Sequence, residues 1–140
     1  MSLLHQIALT FIPKIGDATA RALVTHFGSA AVVFQASKAD LKEVPGVGDV
    51  IAGSILNHTS FPRAEQEIKF IEKYKITALA FTDARFPKRL NSCYDAPFLL
   101  YYKGSADLND AKLLSIVGTR NASDYGKDIC GKLIRDLKPH

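Results

Sequence analysis

Apolar and polar positions alternate with helical spacing over the first part of the chain. Between residues 1 and 58, short apolar stretches are separated by Gly, Pro and Ser, which predicts about five short helices. A longer helix is expected to begin at Ser60 and Pro62, because apolar residues then recur on one face with Glu and Lys opposite. That face consists of Ala64, Ile68 and Ile71.

The second part of the chain changes to short apolar runs bounded by turn residues, and these predict three strands. The runs are Ile76–Phe81, Pro97–Tyr102 and Lys112–Val117, the last of which reads as a buried strand. Gly118 follows, and apolar residues then recur every four positions from Tyr125 to Leu137, which predicts a helix. A strand, a Gly turn and a helix form the opening of a Rossmann-like unit.

The helical half contains a weak repeat with a spacing of 32 residues, in which Ile12–Leu23 aligns with Val44–Ile55. The identical pairs are Pro13/Pro45, Gly16/Gly48, Asp17/Asp49 and Ala20/Ala52. Each copy predicts a turn that opens onto a helix, with Gly allowing a tight backbone and Asp suiting the cap or first turn. Between the copies, Phe27–Ser29 reads as a Gly stop followed by a Ser start.

The repeat resembles the helix-hairpin-helix motif, in which backbone N–H groups of the Gly turn face a phosphate. Gly46 and Gly48 of the better-matching second copy are therefore auxiliary candidates for DNA contact. Asp17 and Asp49 follow the two turns, and a carboxylate there would cap the helix and also repel a phosphate. A helix-packing module stays open as the alternative to direct DNA contact.

Charge is distributed unevenly along the chain. The net charge is +4, yet residues 1–62 carry four basic and four acidic side chains, so the whole excess lies in the remainder. If the partner is a polyanion, the electrostatics point to the second half.

Other features exclude several classes of protein. The apolar run Ala96–Tyr102 is too short to span a bilayer, and the N-terminus lacks the basic region of a signal peptide. Cys93 and Cys130 form no CxxC pair, so reduced thiols in a cytoplasmic protein are expected. The four histidines show no metal-ligand spacing, and no common catalytic motif occurs. We expect no catalytic residues, no metal and no cofactor.

The turn after the third predicted strand places a permanent positive charge at the start of a helix. Backbone N–H groups at such a turn point into the ligand crevice of an α/β sheet, Gly118 allows close approach, and Arg120 offers a planar fork for phosphate oxygens. The candidate phosphate-binding residues are Gly118, Thr119, Arg120, Ser123, Tyr125 and Gly126. The alternative is that Arg120 pairs with Asp124 or Asp128.

A second basic cluster brackets Phe86 and Pro87. Arg85, Lys88 and Arg89 form a basic turn with an aromatic residue, a combination that can support a nucleic-acid backbone. They are auxiliary candidates for DNA contact. A solvated loop with Phe86 buried is the alternative.

Three blocks in this order resemble the DNA-processing protein A (DprA/Smf) family. The first is the helical module with its two hairpin-like turns. The second is the stretch Phe81–Gly104, which is similar to the family's D-x-x-Y-P-x-x-L…D-x-P-x-x-L-Y-x-K-G pattern, with Phe86 in place of the usual Tyr. The third is Ile116–Gly126, similar to h-V-G-[ST]-R-x-x-[ST]-x-Y-G.

The resemblance implies a SAM-like/helix-hairpin-helix domain over residues 1–60 and the beginning of an extended Rossmann-like α/β domain over residues 61–140. Because the family's Rossmann domain is longer, the chain is expected to be an N-terminal portion. The implied function is non-enzymatic: binding single-stranded DNA, protecting incoming DNA in natural transformation and helping to load the RecA recombinase. Full-length members form homodimers, and the phosphate pocket maps onto Gly118, Thr119 and Arg120.

Two other functions remain open from the sequence. A nucleotide-phosphate-binding Rossmann enzyme of the lysine-decarboxylase-like type has a comparable Gly-Arg turn. Residues 1–60 could alternatively form a stand-alone helix-hairpin-helix module for duplex DNA or protein docking.

Overall fold

The computed structural model describes residues 2–110 and 112–137, which fall into two compact units, one ending at Asn109 and the other beginning at Asp110. The described helices of the first unit are α1 Leu3–Thr10, α2 Asp17–Phe27, α3 Ala30–Val33, α4 Lys38–Lys42, α5 Asp49–Leu56, α6 Phe61–Lys73 and α7 Lys88–Asn91. Its strands are β1 Thr77–Ala80 and β2 Leu99–Tyr102, and the second unit carries α8 Asp124–Leu137. None of the described helices is both long enough and apolar enough to cross a membrane.

The five short helices predicted for residues 1–58 are confirmed, and their ends follow local chemistry. Gly28 ends α2 in the left-handed conformation, with φ +78°, and Ser29 then begins α3, its Oγ accepting from Val32 N at 3.3 Å. Gly16 and Gly48 are the extended residues that precede α2 and α5. Both repeats therefore fold as a turn opening onto a helix.

The core of the first unit joins helices and the sheet. The larger cluster includes the fully buried side chains of Leu9, Leu23, Val33 and Leu41 from the short helices, and Phe98 from the entrance to β2 packs among them. A second cluster forms where Ile7 and its neighbours on α1 meet α6. The entrance to β2 is thus packed into the helical core. The predicted domain boundary at residue 60 stays a prediction.

The first two predicted strands are confirmed. β1 and β2 pair antiparallel, with Thr77 opposite Tyr102 and Ala80 opposite Leu99. Apolar runs bounded by turn residues were sufficient to predict both strands, because the two runs lie close in sequence and can pair with each other.

The prediction of a buried strand at Lys112–Val117 is wrong. The segment forms no strand, and its apolar side chains are exposed, with Val117 at 92%. A strand needs a hydrogen-bonded neighbour, and residues 112–137 offer no other segment in strand conformation in the described structure. The helix predicted after it is confirmed as α8, but the Rossmann-like arrangement is not confirmed.

Candidate nucleic-acid interface

The candidate phosphate loop lies on the surface of the second unit. Gly118, Thr119 and Arg120 belong to the exposed segment before α8, and Thr119 Oγ1 donates to the carbonyl oxygen of Asn121 at 3.0 Å. Three further candidates lie at the helix start: Ser123, Tyr125 and Gly126. Ser123 Oγ accepts from Gly126 N at 3.2 Å, as an N-capping hydroxyl does. The Tyr125 side chain is 76% exposed.

Arg120 is not neutralised by the acidic residues beside it. It makes no ion pair with Asp124, Asp128 or any other residue that the structure describes, and Asp124 pairs instead with Lys127 at 3.0 Å. The structure therefore does not show the alternative in which Arg120 serves only as a local ion-pair partner. Its role toward phosphate stays a prediction.

The basic turn around Phe86 is partly committed to internal contacts. Arg85 forms a two-point contact with Asp83, from Nε to Oδ1 at 3.1 Å and from Nη2 to Oδ2 at 2.8 Å, and this contact lowers the pKa of the Asp83 carboxyl. Phe86 is buried, as the alternative interpretation expected. Lys88 and Arg89 lie on the short helix α7, where Lys88 N donates to Asn109 Oδ1 at 2.8 Å.

The two hairpin turns have matching backbones. Lys14 and Gly46 occupy equivalent positions 32 residues apart, and both have positive φ, +69° and +85°. Gly16 and Gly48 follow at φ −92° in both copies. The sequence repeat is therefore a structural repeat, in which Lys14 occupies a backbone conformation that favours glycine.

Two side chains of the first hairpin, Asp17 and Arg21, contact the segment between β1 and β2. The Asp17 carboxylate accepts from Phe98 N at 2.8 Å. Arg21 places its guanidinium over the Phe81 ring, 4.5 Å from the centroid, and donates to Asn91 Oδ1 at 2.7 Å and to Pro97 O at 3.3 Å. Sequence reasoning missed these contacts because the partners lie 60 or more residues away.

The second hairpin keeps its turn exposed and its aspartate neutralised. Asp49, in the first turn of α5, contacts both Lys38 Nζ and Lys42 Nζ at 3.1 Å, and these hydrogen bonds lower the pKa of its carboxyl. Gly46 and Gly48 are exposed. The two lysines outweigh the carboxylate that was expected to repel a phosphate, so the cluster carries a local charge of +1.

Among the described residues, no group of three or more His, Cys, Asp and Glu side chains could hold a metal ion.

Comparisons with known proteins give matches for both parts of the chain. Residues 7–68 match the family model for the helix-hairpin-helix motif, and residues 77–140 match the family model for DNA recombination-mediator protein A. No solved structure matches.

The curated relatives are longer proteins. The DNA processing protein DprA of Streptococcus pneumoniae is 36% identical over 67 residues, covering 48% of this chain and 24% of that protein. The DNA ligase of Thermotoga neapolitana is 37% identical over 62 residues (44% and 9%), and UvrABC system protein C of Ruegeria sp. is 49% identical over 47 residues (34% and 7%). The chain thus spans about a quarter or less of each of these relatives.

The match over residues 77–140 covers the two blocks, Phe81–Gly104 and Ile116–Gly126, in which the sequence resembles one family. Residues 77–140 therefore resemble the DNA recombination-mediator protein A family, and part of the chain is similar to the DNA processing protein DprA.

Proposed function

We propose that the chain acts in DNA processing during recombination by binding single-stranded DNA, with Arg120 holding a backbone phosphate. The observation that carries the proposal is the state of Arg120: it is exposed, without an ion pair among the described residues, and inside the region matched to the recombination-mediator family. A guanidinium in this state offers paired N–H donors to phosphate oxygens. The proposed role is binding rather than catalysis.

Two further roles belong to this proposal through the family resemblance: protection of incoming DNA and loading of a RecA recombinase in the cytoplasm. They predict that single-stranded DNA bound by the protein resists nuclease digestion and nucleates RecA faster than naked DNA. Nuclease protection and RecA-dependent ATP hydrolysis on the same oligonucleotide measure the two separately.

The direct test is Arg120→Ala in the full chain. Loss of a charge-assisted phosphate contact should weaken binding of a fluorescent oligothymidylate by about 10- to 100-fold. The slope of log K against log salt should also flatten by about 0.7, as expected for one phosphate of a single strand. Arg135→Ala, which removes the same charge from α8, is the matched control. Equal losses in the two variants, or none in Arg120→Ala, would contradict the assignment.

A second candidate function has its own observation. The Lys38–Asp49–Lys42 cluster places two lysines beside the exposed Gly46–Gly48 turn, which suits contact between the second hairpin and a DNA backbone. The helix-hairpin-helix match over residues 7–68 supports it.

The double variant Lys38→Ala/Lys42→Ala tests this candidate, because it leaves Asp49 unneutralised at the turn. Affinity for a duplex oligonucleotide should fall well below that of Lys69→Ala/Lys132→Ala, a control that removes two exposed lysines elsewhere. If both double variants bind duplex DNA equally, the second hairpin has no specific part in binding.

A further inference from the structure

Positive charges in the helical region differ in how they are used. Arg21 donates to Asn91, and Lys38 and Lys42 both pair with the Asp49 carboxylate. Lys14 and Arg63, in contrast, make no ion pair with any residue that the structure describes. Both are exposed, so their charge is available to a ligand.

Arg63 lines a cleft, and Lys14 is next in sequence to a residue of its lining, Pro13. Its volume is about 240 Å³, and its lining includes Phe11, Pro13, His58, Thr59, Ser60 and Arg63. Lys14 directly follows Pro13 at the tip of the first hairpin turn. The cleft is therefore formed between the first hairpin and the connection from α5 to α6.

The cleft is rich in hydrogen-bond donors. Arg63 is held over the Phe11 ring, with Cζ 4.5 Å from the centroid, and a guanidinium packed against a ring can still donate from its edge. His58 Nδ1 accepts from Ser60 N at 3.4 Å and lies 3.0 Å from Ser60 Oγ. The exposed Thr59 supplies a hydroxyl. None of the described residues that line the cleft is a carboxylate.

A donor-rich cleft that is lined by Arg63 and by no carboxylate among the described residues suits a ligand that carries only acceptors and negative charge. We propose that it binds a backbone phosphate of the DNA strand, as a contact separate from Arg120 and from the second hairpin. This inference rests on the proposed DNA-binding function and adds a site to it. A free phosphate has the same chemistry, and the experiment below separates the two sources.

The first pair of variants exploits the backbone. Lys14 and Lys75 are the described non-glycine residues with positive φ, +69° and +53°, and both are exposed. Lys14→Gly and Lys75→Gly each relieve a left-handed backbone and remove one charge, so neither should impair folding. Only Lys14→Gly should weaken oligothymidylate binding, by about three- to tenfold, with a salt slope lower by about 0.7.

The second set of variants tests the guanidinium of Arg63. Arg63→Gln should weaken binding by about tenfold or more, and Arg63→Lys should restore only part of the loss, whereas Lys69→Gln on the same helix should leave affinity nearly unchanged. Inorganic phosphate at the same ionic strength as chloride should compete weakly if the site is built for a DNA strand. Competition at micromolar phosphate would instead identify a free-phosphate site and overturn the proposal.

The outcomes separate the two levels of the argument. If the unaltered chain binds the oligonucleotide and Arg120→Ala weakens it, but Lys14→Gly and Arg63→Gln match their controls, this inference fails and the proposed function stands. If the unaltered chain binds no DNA at all, both fail. Specific losses in Lys14→Gly and Arg63→Gln, without competition by micromolar phosphate, support the inference.

Discussion

The backbone N–H of Phe98 donates to the carboxylate of Asp17 at 2.8 Å, joining residues 81 positions apart. Phe98 is fully buried in the helical core, and Asp17 lies in the first turn of α2. One carboxylate of the first hairpin thus satisfies a backbone donor at the entrance to β2. The equivalent Asp49 of the second hairpin instead pairs with Lys38 and Lys42.

Replacing Asp17 with Ala should lower the free energy of unfolding by about 1–3 kcal/mol, because the buried N–H of Phe98 loses its acceptor. Urea unfolding followed by circular dichroism measures this loss. Asp49→Ala is the matched control at the repeat-related position, and it should cost less stability because its ion pairs are exposed. Equal losses at the two positions would show that Asp17 acts only as a helix-start residue.

Substitution at Gly46 should show how strongly the hairpin turn depends on glycine at a position with positive φ. A Cβ at Gly46 would meet no atom within 4 Å, so the cost of Gly46→Ala comes from φ +85° alone. We expect a loss of about 1–2 kcal/mol in unfolding free energy. Gly53→Ala within α5, where the space is also open, should instead stabilise by about 0.5–1 kcal/mol. A neutral Gly46→Ala would indicate that the turn can adopt another conformation.

Acidification should weaken the fold through His58. Burial, and secondarily repulsion from His5, lowers the pKa of His58 below its ordinary value of 6.5. The unfolded state then binds the proton more readily, so this contribution is fully present above pH 6.5 and is lost as the pH falls through the lowered folded-state pKa. Urea unfolding between pH 7.5 and 5 should show the decline.

The matched comparison for this pH effect is His58→Asn, whose side-chain oxygen can still accept from Ser60 N. Its stability should decline less between pH 7.5 and 5 than that of the unaltered chain. The same substitution at the exposed His26 controls for loss of an imidazole in general. An unchanged decline in His58→Asn would assign the pH dependence to other groups.

Local features of the fold could be predicted because their causes are local. The stop at Gly28 and the start at Ser29 depend on the conformation and hydroxyl of single residues, and both are observed. Strand formation at Lys112–Val117 was predicted from an apolar run, but a strand depends on a pairing partner that the run cannot supply. The Asp17–Phe98 contact likewise depends on the packed fold and leaves no sequence pattern.

The candidate sites divide in the same way. Arg120 could be singled out because a Gly turn before a helix is a sequence pattern, and its exposure agrees with that choice. The aspartate after each hairpin turn was expected to oppose phosphate binding in both copies. The structure gives them different partners, because α4 brings Lys38 and Lys42 to Asp49, whereas Asp17 meets a backbone amide. Equivalent residues of a repeat need not share a function.

That difference yields a prediction for DNA binding. Asp49→Asn removes the carboxylate that engages Lys38 and Lys42, and both lysines become available beside the Gly46–Gly48 turn. If the second hairpin contacts DNA, affinity for a duplex oligonucleotide should rise by roughly three- to tenfold with a steeper salt dependence. The stability of the fold should change little, since the ion pairs are exposed.

The control for this gain is Glu43→Gln, which neutralises another exposed carboxylate at the end of α4 that makes no ion pair with the described residues. It changes the net charge by the same amount without releasing Lys38 or Lys42. A gain confined to Asp49→Asn identifies the lysine pair as the DNA-contacting group that Asp49 restrains. Equal gains in both variants would mean that net charge alone sets the affinity, and the second hairpin would then be a packing module.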